Sequence, residues 1–180
     1  MARTFHEIVN NYYESSKNKC NAHFRVAERH KRNHRSIGIA ATTVSALVGT
    51  AVVSSLVQDK PETWLQITAT LMSVAAVVLT ALQTFLDDAG LAAQHKAAAA
   101  GYESIKRALD FVSMKFPDAV GRADEPGTAE LESIRAALDD LVKQSPSIPD
   151  KDYDAVAKKQ HYAQEIAQQY APGDAEKRRA

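Results

Sequence analysis

Two stretches of this chain, Ser36 to Gln58 and Thr63 to Leu86, contain no Asp, Glu, Lys, Arg or His, and only Asp59-Lys60-Pro61-Glu62 separates them. As helices rising ~1.5 Å per residue, each would reach roughly 35 Å, a little beyond the ~30 Å hydrocarbon layer of a bilayer. The charged connection with its helix breaker Pro61 can reverse the chain and is too polar for mid-membrane. The pattern predicts an all-α protein built on an integral membrane helical hairpin. The competing reading is a soluble bundle with the hairpin as its core, since both runs are diluted with Ser, Thr, Ala and Gln. A soluble helix normally keeps one charged face, and neither run has one.

The remaining pattern is helical too. Residues 1–35 lack Pro and Gly, and Phe5, Ile8, Val9, Tyr12 and Phe24 recur at roughly helical spacing, which predicts an amphipathic helix running into the first span. Residues 36–86 are the hairpin. In residues 87–116, Leu91, His95, Ala98, Tyr102, Ile105, Leu109, Val112 and Phe116 alternate steps of four and three, the spacing of a heptad seam suited to joining copies of the chain. Residues 117–180 begin at Pro117. Past Pro126-Gly127, Thr128 is placed to cap a helix carrying Leu131, Ile134, Leu138 and Leu141, and Asp150 to cap a last one carrying Tyr153, Val156, Gln160, Ala163, Ala167 and Tyr170.

Within the second run, Gln66, Thr70, Ser73, Val77, Thr80 and Thr84 form a polar stripe, which connects through Asp88 to the seam if the helix is continuous. Polar faces in a bilayer turn toward another helix or toward water, so the stripe is either a packing face or a pore lining. Hydroxyls that bond their own backbone would favour packing. In the first run, Ala41, Ser45 and Gly49 at four-residue spacing form a small-residue face for close helix contact.

Charge adds an orientation. Lys plus Arg and Asp plus Glu each total 22, so no net charge recommends nucleic acid as a partner. The bases are instead clustered as Arg25, Arg29, Lys31, Arg32 and Arg35, next to the first run, against Glu28 alone. The positive-inside bias then places both termini in the cytoplasm, and Trp64 stands where an interfacial aromatic would. The polar segment before residue 36 is not a cleavable leader. The lone Cys20 excludes an internal disulfide and suits a reducing compartment.

Motifs for chemistry are few. His30 with His34, and Cys20 with His23, have pairwise metal spacing, but on one helix they lie too far apart to close a four-ligand site, and no metal or cofactor is expected. His95 reads as a packed core histidine and Tyr102 as a seam aromatic. Asp87-Asp88 marks the end of the second span, with an acidic ring at a pore mouth as its functional alternative. No phosphate loop, nucleophile elbow or metalloprotease pair occurs, so an enzyme is not expected.

The basic N-terminal helix, Ser36-Ile37-Gly38-Ile39 through Ser45-Ala46-Leu47-Val48-Gly49, the span closing with Leu82-Gln83-Thr84-Phe85-Leu86, and His95-Lys96-Ala97-Ala98 leading to Tyr102 together resemble the SLATT domains, over roughly residues 5 to 116. These are two-transmembrane effector domains of bacterial nucleotide-linked conflict and antiphage systems. The resemblance implies a cytoplasm-facing effector of the inner membrane that forms a pore or disrupts the bilayer when a separate sensor, such as a nucleotide-signal synthase, detects infection. It carries over no catalytic residues. The expected partners are the bilayer, further copies of the chain and that sensor. The competing function is a non-conducting membrane anchor that recruits a partner through its cytoplasmic helices.

Overall fold

The computed structural model describes residues 4–57, 63–117, 119 and 126–169. Among them every regular element is an α-helix: α1 (Phe5–Val57), α2 (Thr63–Leu86), α3 (Asp88–Lys115), α4 (Pro126–Gln144) and α5 (Asp150–Gln169). The inter-run connection and Tyr170 lie outside the described residues. The chain divides into two compact units, one of Met1–Val26 with Gln94–Ala180, the other of Ala27–Ala93.

The first unit is a conventional helical bundle. Its α1 segment opens with a reciprocal cap: the Glu7 N–H donates to Thr4 Oγ1 at 3.3 Å while the Thr4 N–H donates to Glu7 Oε2 at 2.9 Å. Two donors that a helix start leaves unpaired are satisfied this way. The heptad spacing of α3 then buries one face. Leu109 and Val112 pack with Phe5, Val9 and Leu131, and a second cluster joins Ala99 and Tyr102 to Cys20 and Leu138. Leu131 and Leu138 are buried and Ile134 and Leu141 half-buried, as the spacing of α4 predicts.

The expected oligomer seam is therefore corrected. His95, Ala98, Tyr102, Leu109 and Val112 are buried against the chain's own helices, because the amphipathic faces of α1 and α4 supply the apolar surface that a second copy would otherwise provide. Three smaller corrections belong to this unit. Phe24 is exposed, because the inward line of α1 continues instead through Ser16, Cys20, His23 and Val26. Helix α4 starts at Pro126, ahead of Thr128, in keeping with the tolerance of a helix's first turn for a residue without N–H. On α5, Val156 is buried and Gln160 half-buried, but Tyr153 and Ala163 face out and the charged Asp152 is buried in their stead.

The second unit contains the hairpin. From His34 onward the half-buried or buried positions of α1, among those described, are His34, Ile37, Gly38, Ala41, Val44, Val48 and Ala51; on α2 they are Ala69, Met72, Ser73, Ala76, Leu79 and Gln83. Apart from Gly38 and Ser73, which adjoin another member, both sets alternate threes and fours, the spacing of helices that stay in contact along their length. Of the small-residue face, Ala41 is buried while Ser45 and Gly49 are exposed. Uninterrupted steps of four advance ~400° and so drift ~40° per step off any fixed contact line.

Helix α2 does not continue into α3. Asp87 has φ +39°, a left-handed conformation that Asp tolerates better than most residues. Its carboxylate accepts from the Gly90 N–H at 3.2 Å and its carbonyl from the Leu91 N–H at 3.0 Å, so Asp87 caps a new helix. The cap also needs the glycine, because a Cβ on Gly90 would collide with the Asp87 carboxylate.

Candidate functional site

The feature of the hairpin with functional weight is its outer surface. Ile67, Leu71, Val74, Val77, Val78, Leu82 and Phe85 of α2 are all exposed, with Phe85 at 93%, and so are Ile39, Leu47, Val52 and Val53 of α1. Two helical stretches, within Phe5–Val53 and Gln66–Lys115, are long and apolar enough to cross a membrane; the apolar window of the first is 6% buried and that of the second 0%. A core helix of a soluble bundle would be largely covered.

The polar stripe of α2 belongs to this outer surface. Gln66, Thr70, Val77, Thr80 and Thr84 are exposed, and Ser73 is half-buried. Val77, Thr80 and Thr84 line a shallow recess together with Ser45 of α1, so the structure brings part of the stripe and part of the small-residue face to one place. Gln66, Thr70 and Gly49 are not part of it. Each stripe hydroxyl donates to the carbonyl four residues earlier: Thr70 to Gln66 at 2.8 Å, Ser73 to Ala69 at 2.8 Å, Thr80 to Ala76 at 2.9 Å and Thr84 to Thr80 at 3.0 Å. Thr42, Thr43 and Thr50 of α1 do the same. Their donors are closed on the backbone, while the oxygens keep lone pairs for an incoming donor.

At the charged end of the hairpin, Asp88 is buried and bonds His30 Nδ1 at 2.6 Å. Asp87 is engaged as a helix cap. Asp88 is thus turned into its own chain, while Asp87 stays exposed. Of the basic cluster, Lys31, Arg32 and Arg35 are exposed, whereas Arg25 pairs with the buried Asp152 at 3.2 Å.

The bundle holds a polar cluster that spacing did not reveal. His23 and His95, both buried, meet Nδ1 to Nδ1 at 2.9 Å, an arrangement in which one ring donates and the other accepts. Tyr102 stacks on His23 with ring centroids 5.5 Å apart. Burial above all, then the neighbouring His95 and Lys19, pushes His23 down from 6.5 to about 4, so His23 stays neutral near pH 7. Cys20 donates to Glu103 Oε2 at 3.6 Å, and burial followed by that carboxylate pushes the thiol up to about 11. Glu103 in turn is held below the ordinary carboxylate range, chiefly by its hydrogen bond from Lys106. A neutral His23 and a protonated Cys20 in a packed interior are poor nucleophiles.

Among the described residues no three His, Cys, Asp or Glu side chains converge as metal ligands. His30 and His34 do not act as a pair: the first turns to Asp88 and the second lines a separate groove. The one available hint of the histidine bond was that His23 and His30 are seven apart in sequence, as are Asp88 and His95. No protein-family model, no characterised protein and no solved structure matches this chain.

Proposed function

We propose that the chain is a membrane effector whose hairpin, residues 36–86, sits in the bacterial inner membrane with both termini in the cytoplasm. On a signal from a separate sensor, such as a nucleotide-signal synthase, copies of it associate and open a pore or otherwise disrupt the bilayer. The observation that carries this reading is the outward display of large apolar side chains on α2, from Ile67 to Phe85, with no buried residue in its apolar window. Covering one such side chain is worth roughly 1.5–3 kcal/mol, so leaving the set in water forfeits on the order of 10 kcal/mol, comparable to a domain's net stability of ~5–15 kcal/mol. Lipid removes that penalty. Lys31, Arg32 and Arg35 just before the first apolar run support the cytoplasmic assignment, and the resemblance to SLATT domains supports the effector role. Because the α3 seam is occupied within the bundle, association falls to the hairpin, where Ser45, Val77, Thr80 and Thr84 offer small and polar contacts.

The stripe hydroxyls, bonded to their own carbonyls, favour a second reading: a non-conducting anchor whose hairpin helices simply pack and whose bundle recruits a partner. Conductance of the purified chain in liposomes, with its oligomer mass measured in detergent, separates the two. The effector reading expects conductance that Thr80→Leu suppresses while oligomer mass and insertion stay as in the wild type. An inserted protein that remains silent with its signalling partner present supports the anchor.

A further inference from the structure

Where the charged part of α1 gives way to the apolar part, α1 and α2 enclose a groove of about 380 Å³ lined in part by His34, Arg35, Ile39 and Gln83. We propose that this groove binds the phosphate of an anionic phospholipid; the proposal rests on the membrane reading above and gives it a specific lipid contact. The lining provides donors without a competing acid. Arg35 is exposed and carries the forked guanidinium suited to phosphate oxygens. Gln83 crosses the backbone at Gly38, its Nε2 3.4 Å from where a Cβ would stand, and no carboxylate lines the groove.

His34 completes the donor set through its tautomer. Its Nδ1 is buried with no hydrogen-bond partner. With Nδ1 enclosed and unpartnered, Nε2 is the ring nitrogen left to donate to a ligand. Thr42 and Thr43, also on the groove wall, donate to Gly38 and Ile39 carbonyls and leave the anion to the three nitrogen donors.

The groove is amphipathic along its length, which selects a lipid over a small soluble anion. Ile39, 57% exposed, continues the wall on the apolar side, and Arg35 stands exposed at its charged end, whereas Lys31 lies outside the lining. A phosphate at Arg35 would thus place its glycerol and acyl chains along the exposed apolar face of the same unit. The ammonium of a zwitterionic headgroup finds no acidic partner in the lining.

The test uses the full chain. Native mass spectrometry after detergent exchange reads retained phosphatidylglycerol against phosphatidylcholine, and flotation with vesicles of equal parts of the two reads insertion separately. The wild type is expected to retain phosphatidylglycerol about tenfold over phosphatidylcholine, with Arg35→Gln and Gln83→Leu both losing that preference and Lys31→Gln keeping it. Equal retention of both lipids, or the same loss in Lys31→Gln as in Arg35→Gln, overturns the groove as a site and leaves only diffuse surface charge. Displacement of the lipid by millimolar inorganic phosphate assigns the groove to a soluble anion and overturns it as well. A chain that fails to float overturns the membrane reading, whereas one that floats without the preference overturns the headgroup site alone.

Discussion

The bundle and the hairpin obey the same periodicity and put it to opposite use. In the bundle the alternation of threes and fours ends in a closed core, with Leu109 at 0% exposure. In the hairpin the same alternation aligns small side chains such as Ala41 and Ala76 beside larger ones such as Ile37 and Leu79 between the helices, while Leu71 and Val77 point away at 67% and 69%. Where the large residues go, not the period, distinguishes a unit with a closed apolar core from one that displays its apolar side chains outward.

The sharpest way to break this comparison is to truncate one leucine in each unit. Leu109→Ala empties the middle of the bundle core and is expected to lower its stability by about 3 kcal/mol, read as a shift in the urea midpoint of the helical signal. Acid should act next most strongly, through His23 of the bundle. With His23 held down at about 4 in the fold against 6.5 unfolded, the unfolded chain binds the extra proton between those values. The stabilisation is therefore complete above pH ~6.5 and is lost as pH falls toward 4, an effect on the order of 3 kcal/mol at most. The gap between unfolding curves at pH 7 and pH 4.5 should narrow in His23→Gln.

Third comes a glycine pair. A Cβ at Gly101 would fall 2.7 Å from Cδ1 of Leu141, whereas at Gly49 it would meet nothing within 4 Å. Gly101→Val is expected to cost about 2 kcal/mol through overpacking, and Gly49→Val to stay within about 0.5 kcal/mol. Asp152→Asn, which removes the charge facing Arg25, should cost about 1 kcal/mol and expose α5 to proteolysis, because the partner guanidinium is half in solvent and screened. The smallest effect is the counterpart of the first: Leu71→Ala should change stability by less than about 0.5 kcal/mol, since that side chain is 67% exposed. A loss at Leu71 as large as that at Leu109 would end the distinction between the two units.

Much of this was legible in the chain. The uncharged runs marked the two apolar helices because length and composition are local properties, and the α3 seam was visible because Tyr102, Leu109 and Val112 contrast sharply with polar neighbours. What occupies that seam was not visible, since a heptad face reads the same whether it meets a second copy or the chain's own α1 and α4. The hairpin's inner line escaped for a different reason: among so many Ala, Ser and Thr, size and polarity barely mark one face, and Ala41, Ser45 and Gly49 were as good a candidate as Ala41, Val44 and Val48. The break at Asp87 depends on one residue's left-handed backbone, which Leu-Asp-Asp-Ala-Gly permits without requiring. The His23 to His95 bond joins positions 72 residues apart and depends on the packing register of two helices, which neither helix encodes alone.

Cys20 has a practical consequence. It is the chain's single thiol, it lies in the bundle interior, and with its proton held to about pH 11 it offers almost no thiolate to a maleimide at neutral pH. The natural sequence is thus its own unlabelled background. One cysteine at a time, placed at exposed positions such as Thr70 or Ser147, becomes the sole reactive handle on the molecule, and a scan of such handles reads the surroundings of every helix turn without first replacing a native residue.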